Sequence, residues 1–284
     1  MTASEKTDIG LSEIKKMQTK ILLQFHEFCH AHQLRYFLYG GTLLGAVRHR
    51  GFIPWDDDID LVMPRPDYQK LLTILQKTKV ASHLDIIHHE NNPFYPYPFA
   101  KLYDNRTICD IPGLDPRMEL GIWIDLFPMD GLPANKSLRD QHIEDLQSQI
   151  RLLNRCSRKF YFSKNPVRLA KNIGIMLLYS FYSQKKVICK LEADAQKYPY
   201  ESSPYIGVVA FCGGQNNVIE KAGFEETVML PFEQYKFDAP GTYRKYLVNL
   251  YGADCFEIPP ESKQDSGHVY TAWWKEGEKI NEVY

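Results

Sequence analysis

The residues of this chain best equipped for chemistry are Asp58 and Asp60, which flank Ile59 in Trp55-Asp56-Asp57-Asp58-Ile59-Asp60-Leu61-Val62-Met63. The pattern predicts a strand over Asp58–Met63. Side chains alternate along a strand, so both carboxylates would share one face while Ile59 and Leu61 bury themselves on the other. Two carboxylates about 6–7 Å apart repel unless a cation lies between them. Mg²⁺ takes oxygen ligands, usually one or two carboxylates together with substrate phosphates. Paired divalent ions can stabilise both the attacking and the leaving oxygen of a displacement at phosphorus.

A phosphate would also need donors, and Gly40-Gly41-Thr42 offers them. The three residues fall between an expected strand, Tyr36–Tyr39, and an expected short helix, Thr42–Arg48. Backbone N–H groups at such a helix start bind anions. Arg48, one to two turns further on, could reach the same phosphate, although its spacing serves a surface cation equally well. Asp125, inside the apolar run Gly-Ile-Trp-Ile-Asp-Leu-Phe, is the candidate for a third carboxylate, since an unpaired charge in a buried strand is costly. Asp130, between Pro128 and Gly131, reads instead as a turn residue.

The acids admit other readings. An acidic cluster at a strand end can be a solvated loop. Asp56, Asp58 and Asp60 fit the first positions of an EF-hand loop, but Leu61 stands where that loop needs Gly and Asp67 where it needs Glu. Asp58-Ile59-Asp60 also fits the Asp-x-Asp pattern of metal-dependent nucleotide-sugar glycosyltransferases. No G-x-x-x-x-G-K-[ST] occurs, which argues against a P-loop NTPase.

These groups need a scaffold, and the patterning supplies an α/β (α+β) one. Leu11–His32 carries Ile14, Met17, Ile21, Leu22, Phe25 and Phe28 at helical spacing. Pro66 suits the first turn of a helix running to about Gln76. Leu84–His88, Tyr97–Tyr103 and Gly121–Phe127 read as strands. Ser137–Phe162 and Val167–Tyr198 read as two long helices, followed by a mixed section over Ile206–Phe211, Thr227–Phe237 and a helix at 241–251. A mixed sheet with flanking helices and a helical insertion is expected.

At 284 residues and a net charge of −1, the chain can bury a substantial core and has no global field to attract nucleic acid. Its six cysteines form no C-x-x-C pair and read as reduced thiols. The polar N-terminus shows no secretory signal, and the longest apolar run, Ile173–Tyr182, is far short of the ~20 residues that span a bilayer. A cytoplasmic protein is expected, peripheral at most to the inner face of the membrane. Residues 151–190 hold ten Lys and Arg and no Asp or Glu. That stretch is a solvated helix face or a docking surface for an anionic membrane or polyanionic acceptor.

Beyond these individual readings, the chain resembles the LicD family, a branch of the polymerase-β-like nucleotidyltransferase superfamily. The likeness is carried by Tyr39-Gly40-Gly41-Thr42-Leu43-Leu44-Gly45, Arg48, Gly51-Phe52-Ile53-Pro54-Trp55-Asp56-Asp57-Asp58-Ile59-Asp60, Lys101-Leu102-Tyr103-Asp104 with Thr107, and Ile124-Asp125-Leu126-Phe127-Pro128-Met129-Asp130-Gly131. Looser matches follow at Pro231-Phe232-Glu233, Tyr246-Leu247, Tyr251-Gly252, Pro259-Pro260 and His268. The resemblance implies a nucleotidyltransferase-like core over 1–135, a basic helical insertion over 136–200, and a 201–284 section that completes one catalytic unit. It implies transfer of a phospho-alcohol, above all phosphocholine, from a CDP-activated donor to a hydroxyl of a glycan such as teichoic acid, lipo-oligosaccharide or a lipid-linked precursor. By position, Asp58, Asp60 and Asp125 would be catalytic and would hold Mg²⁺ or Mn²⁺. Gly40, Gly41, Thr42, Arg48 and Lys101 would contact phosphate, with Asp56 and His268 at the margin of the site. A glycosyltransferase and a non-catalytic glycan-binding relative are the alternatives.

Overall fold

The computed structural model describes residues 8–156, 167, 169, 174, 181–211, 214–264 and 270–276. His268 lies outside the described residues, as do Arg158, Lys159, Lys164, Arg168 and Lys171 of the basic run. The described part is a mixed α/β structure with six helices.

The chain opens with α1 (Leu11–His32), whose apolar stripe (Ile14, Met17, Ile21, Leu22, Phe25, Phe28) is buried as the spacing predicts. Each such side chain contributes roughly 1.5–3 kcal/mol on leaving water. Then come β1 (Phe37–Leu38), α2 (Gly40–Arg48), β2 (Asp60–Pro64) and α3 (Arg65–Leu75), which has Pro66 in its first turn. After β3 (Leu84–Ile87), β4 (Ala100–Asp104) and β5 (Thr107–Asp110) the chain enters β6 (Trp123–Leu132). Next are α4 (Lys136–Cys156), α5 (Gln184–Ala195), β7 (Tyr205–Gly207) and β8 (Ile219–Glu220). The hairpin β9 (Thr227–Phe232) and β10 (Tyr235–Pro240), α6 (Tyr243–Tyr251) and β11 (Thr271–Trp274) complete it.

The main sheet runs β1-β2-β6-β4-β3, with β7 and β8 continuing from the far half of β6. Only β2 and β6 are parallel within it. All ten residues of β6 are buried, which suits a central strand.

Pro128 inside that strand explains itself through pairing. The Asp125 N–H donates to the Ile59 carbonyl on the β2 side. Backbone groups alternate sides along a strand, so position 128 faces the other way. There β4 pairs with Trp123–Leu126 and β7 with Asp130–Leu132. The missing N–H of Pro128 therefore falls in the gap between two partner strands and costs no ladder bond.

Asp130 accordingly corrects the expected turn. It is a buried strand residue, on the opposite face of β6 from Asp125, and accepts two hydrogen bonds from Arg65 of α3 at 2.7 and 2.8 Å. Two further boundaries differ. Strand β2 begins at Asp60, with Asp58 in the irregular segment before it. The long helix expected over Val167–Tyr198 is interrupted at 181–183, where Ser183 caps α5 by accepting the Lys186 N–H. A hydroxyl one residue before a helix start competes with helix continuation.

Helices α4 and α5 form a small apolar core of their own, in which Ile143, Leu146, Ile188 and Leu191 pack with Leu132. The larger core draws on α1, the main sheet, the β9–β10 hairpin and α6 together. Among the described residues no helix is long and apolar enough to cross a membrane.

Candidate active site

Three strands bring the chemistry into one row. Asp60 is paired with Asp125 across β2 and β6, and Asp125 with Lys101 across β6 and β4. Residues abreast in a sheet share a face, so the row stands on one side. Trp123 and Phe127, two places either side of Asp125, and Phe99, two places before Lys101, follow the same alternation. Together with Asp57, Asp58 and Tyr97 these side chains line a cleft of about 470 Å³. The expected third carboxylate is thus beside the first pair, delivered by register.

The electrostatics show a cluster short of positive charge. The Lys101 ammonium lies 2.5 Å from Asp125 Oδ1, and the Trp123 indole N–H donates to Asp125 Oδ2 at 3.3 Å. Asp60 has a carboxyl pushed well above the ordinary carboxylate range, first by loss of water, then by the charges of Asp58 and Asp125, with Lys101 pulling the other way. A set of carboxylate oxygens that repel one another, with a single lysine among them, fits a hard divalent cation.

Helix α2 places its start against these acids. Gly40 has φ +51°, a left-handed conformation suited to glycine, and a Cβ there would lie 3.3 Å from Asp60 Oδ2. A Cβ at Gly41 would fall 2.8 Å from Asp56 Oδ2, so the bare backbone lets Asp56 close in. Thr42 is buried, and its hydroxyl accepts the Asp60 N–H at 2.8 Å, fixing the first residue of β2. Gly40, Gly41 and Asp56 thus stand around Asp60, with Thr42 beneath it.

The structure does not bring Arg48 to this group. It stands at the other end of α2, about 12 Å along the axis. Its guanidinium donates to the carbonyls of Cys255 and Glu257 at 3.0 and 2.9 Å, and to His49. These contacts tie α2 to the segment after α6.

Two features escaped the sequence reading. Gln18 of α1 donates through Nε2 to the carbonyls of Asp57 at 2.9 Å and Trp123 at 3.2 Å, clamping the acidic segment to the start of β6. A lone glutamine on a helix gives no signal of this. The other is the aromatic wall. Phe99 packs on Phe127 with ring centroids 4.4 Å apart and on Phe211 at 4.7 Å, and Tyr97 stacks on Phe99 at 5.1 Å. The run Tyr95-Pro96-Tyr97-Pro98-Phe99 carried a hint, since its odd positions share the parity of Lys101.

The family described as "LicD/FKTN/FKRP, nucleotidyltransferase domain" matches residues 33–105, the stretch holding Gly40, Asp58, Asp60 and Lys101. Strand β6, which carries Asp125, lies beyond the matched stretch. Across 273 residues, 93% of this chain and 98% of the relative, the chain is 30% identical to the lipopolysaccharide cholinephosphotransferase LicD of Haemophilus influenzae. The chain therefore belongs to the LicD family. It is also 64% identical over 28 residues to the human ribitol 5-phosphate transferase FKRP, covering 10% of this chain and 6% of that one. An uncharacterised protein of Rickettsia prowazekii, RP689, is 31% identical over 94 residues, 26% of this chain and 35% of its own.

Proposed function

We propose that this protein transfers phosphocholine from CDP-choline to a hydroxyl of a cell-surface glycan or its lipid-linked precursor, releasing CMP. The observation that carries this reading is the convergence of Asp58, Asp60 and Asp125 with Lys101 on a cleft whose other lining includes Tyr97, Phe99, Phe127 and Phe211 alongside Ile111, Pro112 and Leu114. Membership of the LicD family and a relative named as a lipopolysaccharide cholinephosphotransferase support it.

Asp58, Asp60 and Asp125 would hold Mg²⁺ or Mn²⁺, which when bound supplies charge neutralisation for the donor phosphates. The protein's own groups do the rest by positioning and electrostatics, which is what transfer at phosphorus chiefly requires. The start of α2, opened by Gly40 and Gly41, turns the positive end of its dipole toward the anion. Lys101 adds a fixed positive charge. The acceptor hydroxyl attacks the phosphorus that bears the alcohol, the bond from that phosphorus to the bridging oxygen breaks, and CMP leaves with the electron pair. In this reading Asp125, whose two oxygens accept from Lys101 and Trp123, also receives the acceptor's proton.

The choice of alcohol rests on the wall. Tyr97 and Phe99 already hold one cation, with Lys101 Nζ 5.7 and 5.4 Å from their ring centroids, and a wall of such rings with Phe127 and Phe211 suits a quaternary ammonium.

CMP release from CDP-choline, CDP-ethanolamine, CDP-ribitol and CDP-glycerol, with glycan acceptor and with Mg²⁺ or EDTA, tests the reading. Metal-dependent CMP from CDP-choline, lowered about 10²–10³-fold in Asp60→Asn, is the expected result. Nucleoside diphosphate released from a nucleotide sugar would instead make the protein a glycosyltransferase. Glycan binding with no turnover of any donor would make it a binding relative.

A further inference from the structure

Away from the cleft, α1 and β10 bring together three side chains that the transfer reaction does not use. His26 and His30 are one turn apart on α1, so they share a helix face. Their rings stand 4.2 Å apart, centroid to centroid. Asp238 of β10 reaches the same spot, with Oδ2 2.9 Å from His30 Nε2. One ligand atom from each of the three lies within 4.8 Å of the others. The group sits two to three turns along α1 from Gln18, on the order of 12–18 Å by helical rise.

A histidine–aspartate ion pair explains part of this arrangement and leaves part of it unexplained. Asp238 is 7% exposed, and its second oxygen, Oδ1, is buried without a hydrogen-bond partner. A buried carboxylate oxygen left unpaired is costly and calls for an ion or a water. An ion pair with His30 also gives His26 no part. His26 is already ordered as a ligand would be. Its Nδ1 is 2.8 Å from the Tyr36 hydroxyl, a contact that holds the ring in place.

We infer that His26, His30 and Asp238 form a second metal site, distinct from the acid row and selective for a borderline transition ion of the Zn²⁺ class. Two imidazoles and one carboxylate are the donors such an ion takes, with at least one position left for water. Mg²⁺ prefers an all-oxygen set, so the two sites discriminate by donor chemistry. The ion would join residues more than 200 positions apart, binding α1 to the β9–β10 hairpin. That hairpin in turn touches the acidic segment's approach: the Glu233 N–H donates to the Arg50 carbonyl, and Glu233 Oε1 accepts the Phe52 N–H. The site is a clip between α1 and the β9–β10 hairpin, away from the cleft.

Chelator-treated full-length protein titrated with Zn²⁺, and with Co²⁺ for its visible d–d bands, tests the site. The wild type should take up one equivalent that His30→Ala and His26→Gln both lose, and Co²⁺ should show a nitrogen-ligated spectrum only in the wild type. At free Zn²⁺ about 100-fold above Kd, the melting temperature should rise by several degrees, with no comparable rise from Mg²⁺. His30 is half-exposed, so its alanine variant is expected to fold without metal, and its chelated melting curve checks this. Equal Zn²⁺ stoichiometry in wild type and both variants would overturn the site, as would a Co²⁺ spectrum unchanged by them.

Discussion

Asp60 is half-buried on the cleft with the like charges of Asp58, Asp125 and Asp56 near it, and the fold bears that cost for the sake of the cleft. Removing the charge should therefore stabilise the protein while disabling it. Asp60→Asn is expected to raise the melting temperature in EDTA by about 1–3 °C and to lower transfer about 10²–10³-fold. A thermal melt beside a CMP-release assay reads both. The aromatic wall makes a separate claim. Tyr97→Ala should raise KM for CDP-choline about 5–30-fold, the worth of roughly 1–2 kcal/mol of cation–π contact, and leave kcat nearly unchanged. Steady-state kinetics with CDP-choline and CDP-glycerol check it, because the polyol donor should be indifferent to the change. At this scale the acids were legible in the sequence: charge inside apolar strands stands out. The aromatics were less so: Tyr97 and Phe99 share the parity of Lys101, but only strand register brings them beside Asp125. Arg48 shows the converse, because nothing local announces that carbonyls at 255 and 257 will occupy its guanidinium.

Elements were read well where periodicity was strong and less well where pairing decides. Helix α1 and the Pro66 start of α3 follow from spacing and φ preference. Strand β6 does not, because only the gap between β4 and β7 makes room for Pro128. Beyond that proline, Asp130 is locked to Arg65, whose guanidinium lies 3.8 Å from Glu192 of α5, and Glu192 lies 3.2 Å from His89. Breaking such a buried pair on one side leaves an uncompensated charge, so Asp130→Asn is expected to cost about 3–5 kcal/mol, measurable by urea unfolding. Glu192 supplies a pH test. Burial, opposed by Arg65, raises its carboxyl from the ordinary 4.5 to about 7. The folded state then holds the proton more tightly than the unfolded chain, so this contribution is full below pH 4.5 and is lost as pH rises through about 7. Glu192→Gln should remove that slope and stabilise the protein by roughly 2–3 kcal/mol at pH 8 with little change at pH 4.5. Melts across that range would show it.

For the whole molecule, the acid row is assembled from segments far apart in the chain. The family match ends at residue 105, yet Asp125 lies beyond it, and β10 and α6 contribute Phe237, Ala239, Tyr246 and Leu247 to the core that holds β1 and α2. A chain ending at residue 225 is accordingly expected to lose cooperative unfolding, a loss visible by calorimetry. The mixed α/β character of the fold was legible in the sequence because its elements alternate in type. The curl of the sheet was not, since it depends on β6 exchanging partners midway. What the assembled molecule does is read most directly from the acceptor. Mass spectrometry of a glycan acceptor incubated with CDP-choline and Mg²⁺ should show the added mass of one phosphocholine with wild type and none with Asp125→Asn. An acceptor left unmodified by wild type under those conditions, or one that gains a sugar from a nucleotide-sugar donor instead, would contradict the account.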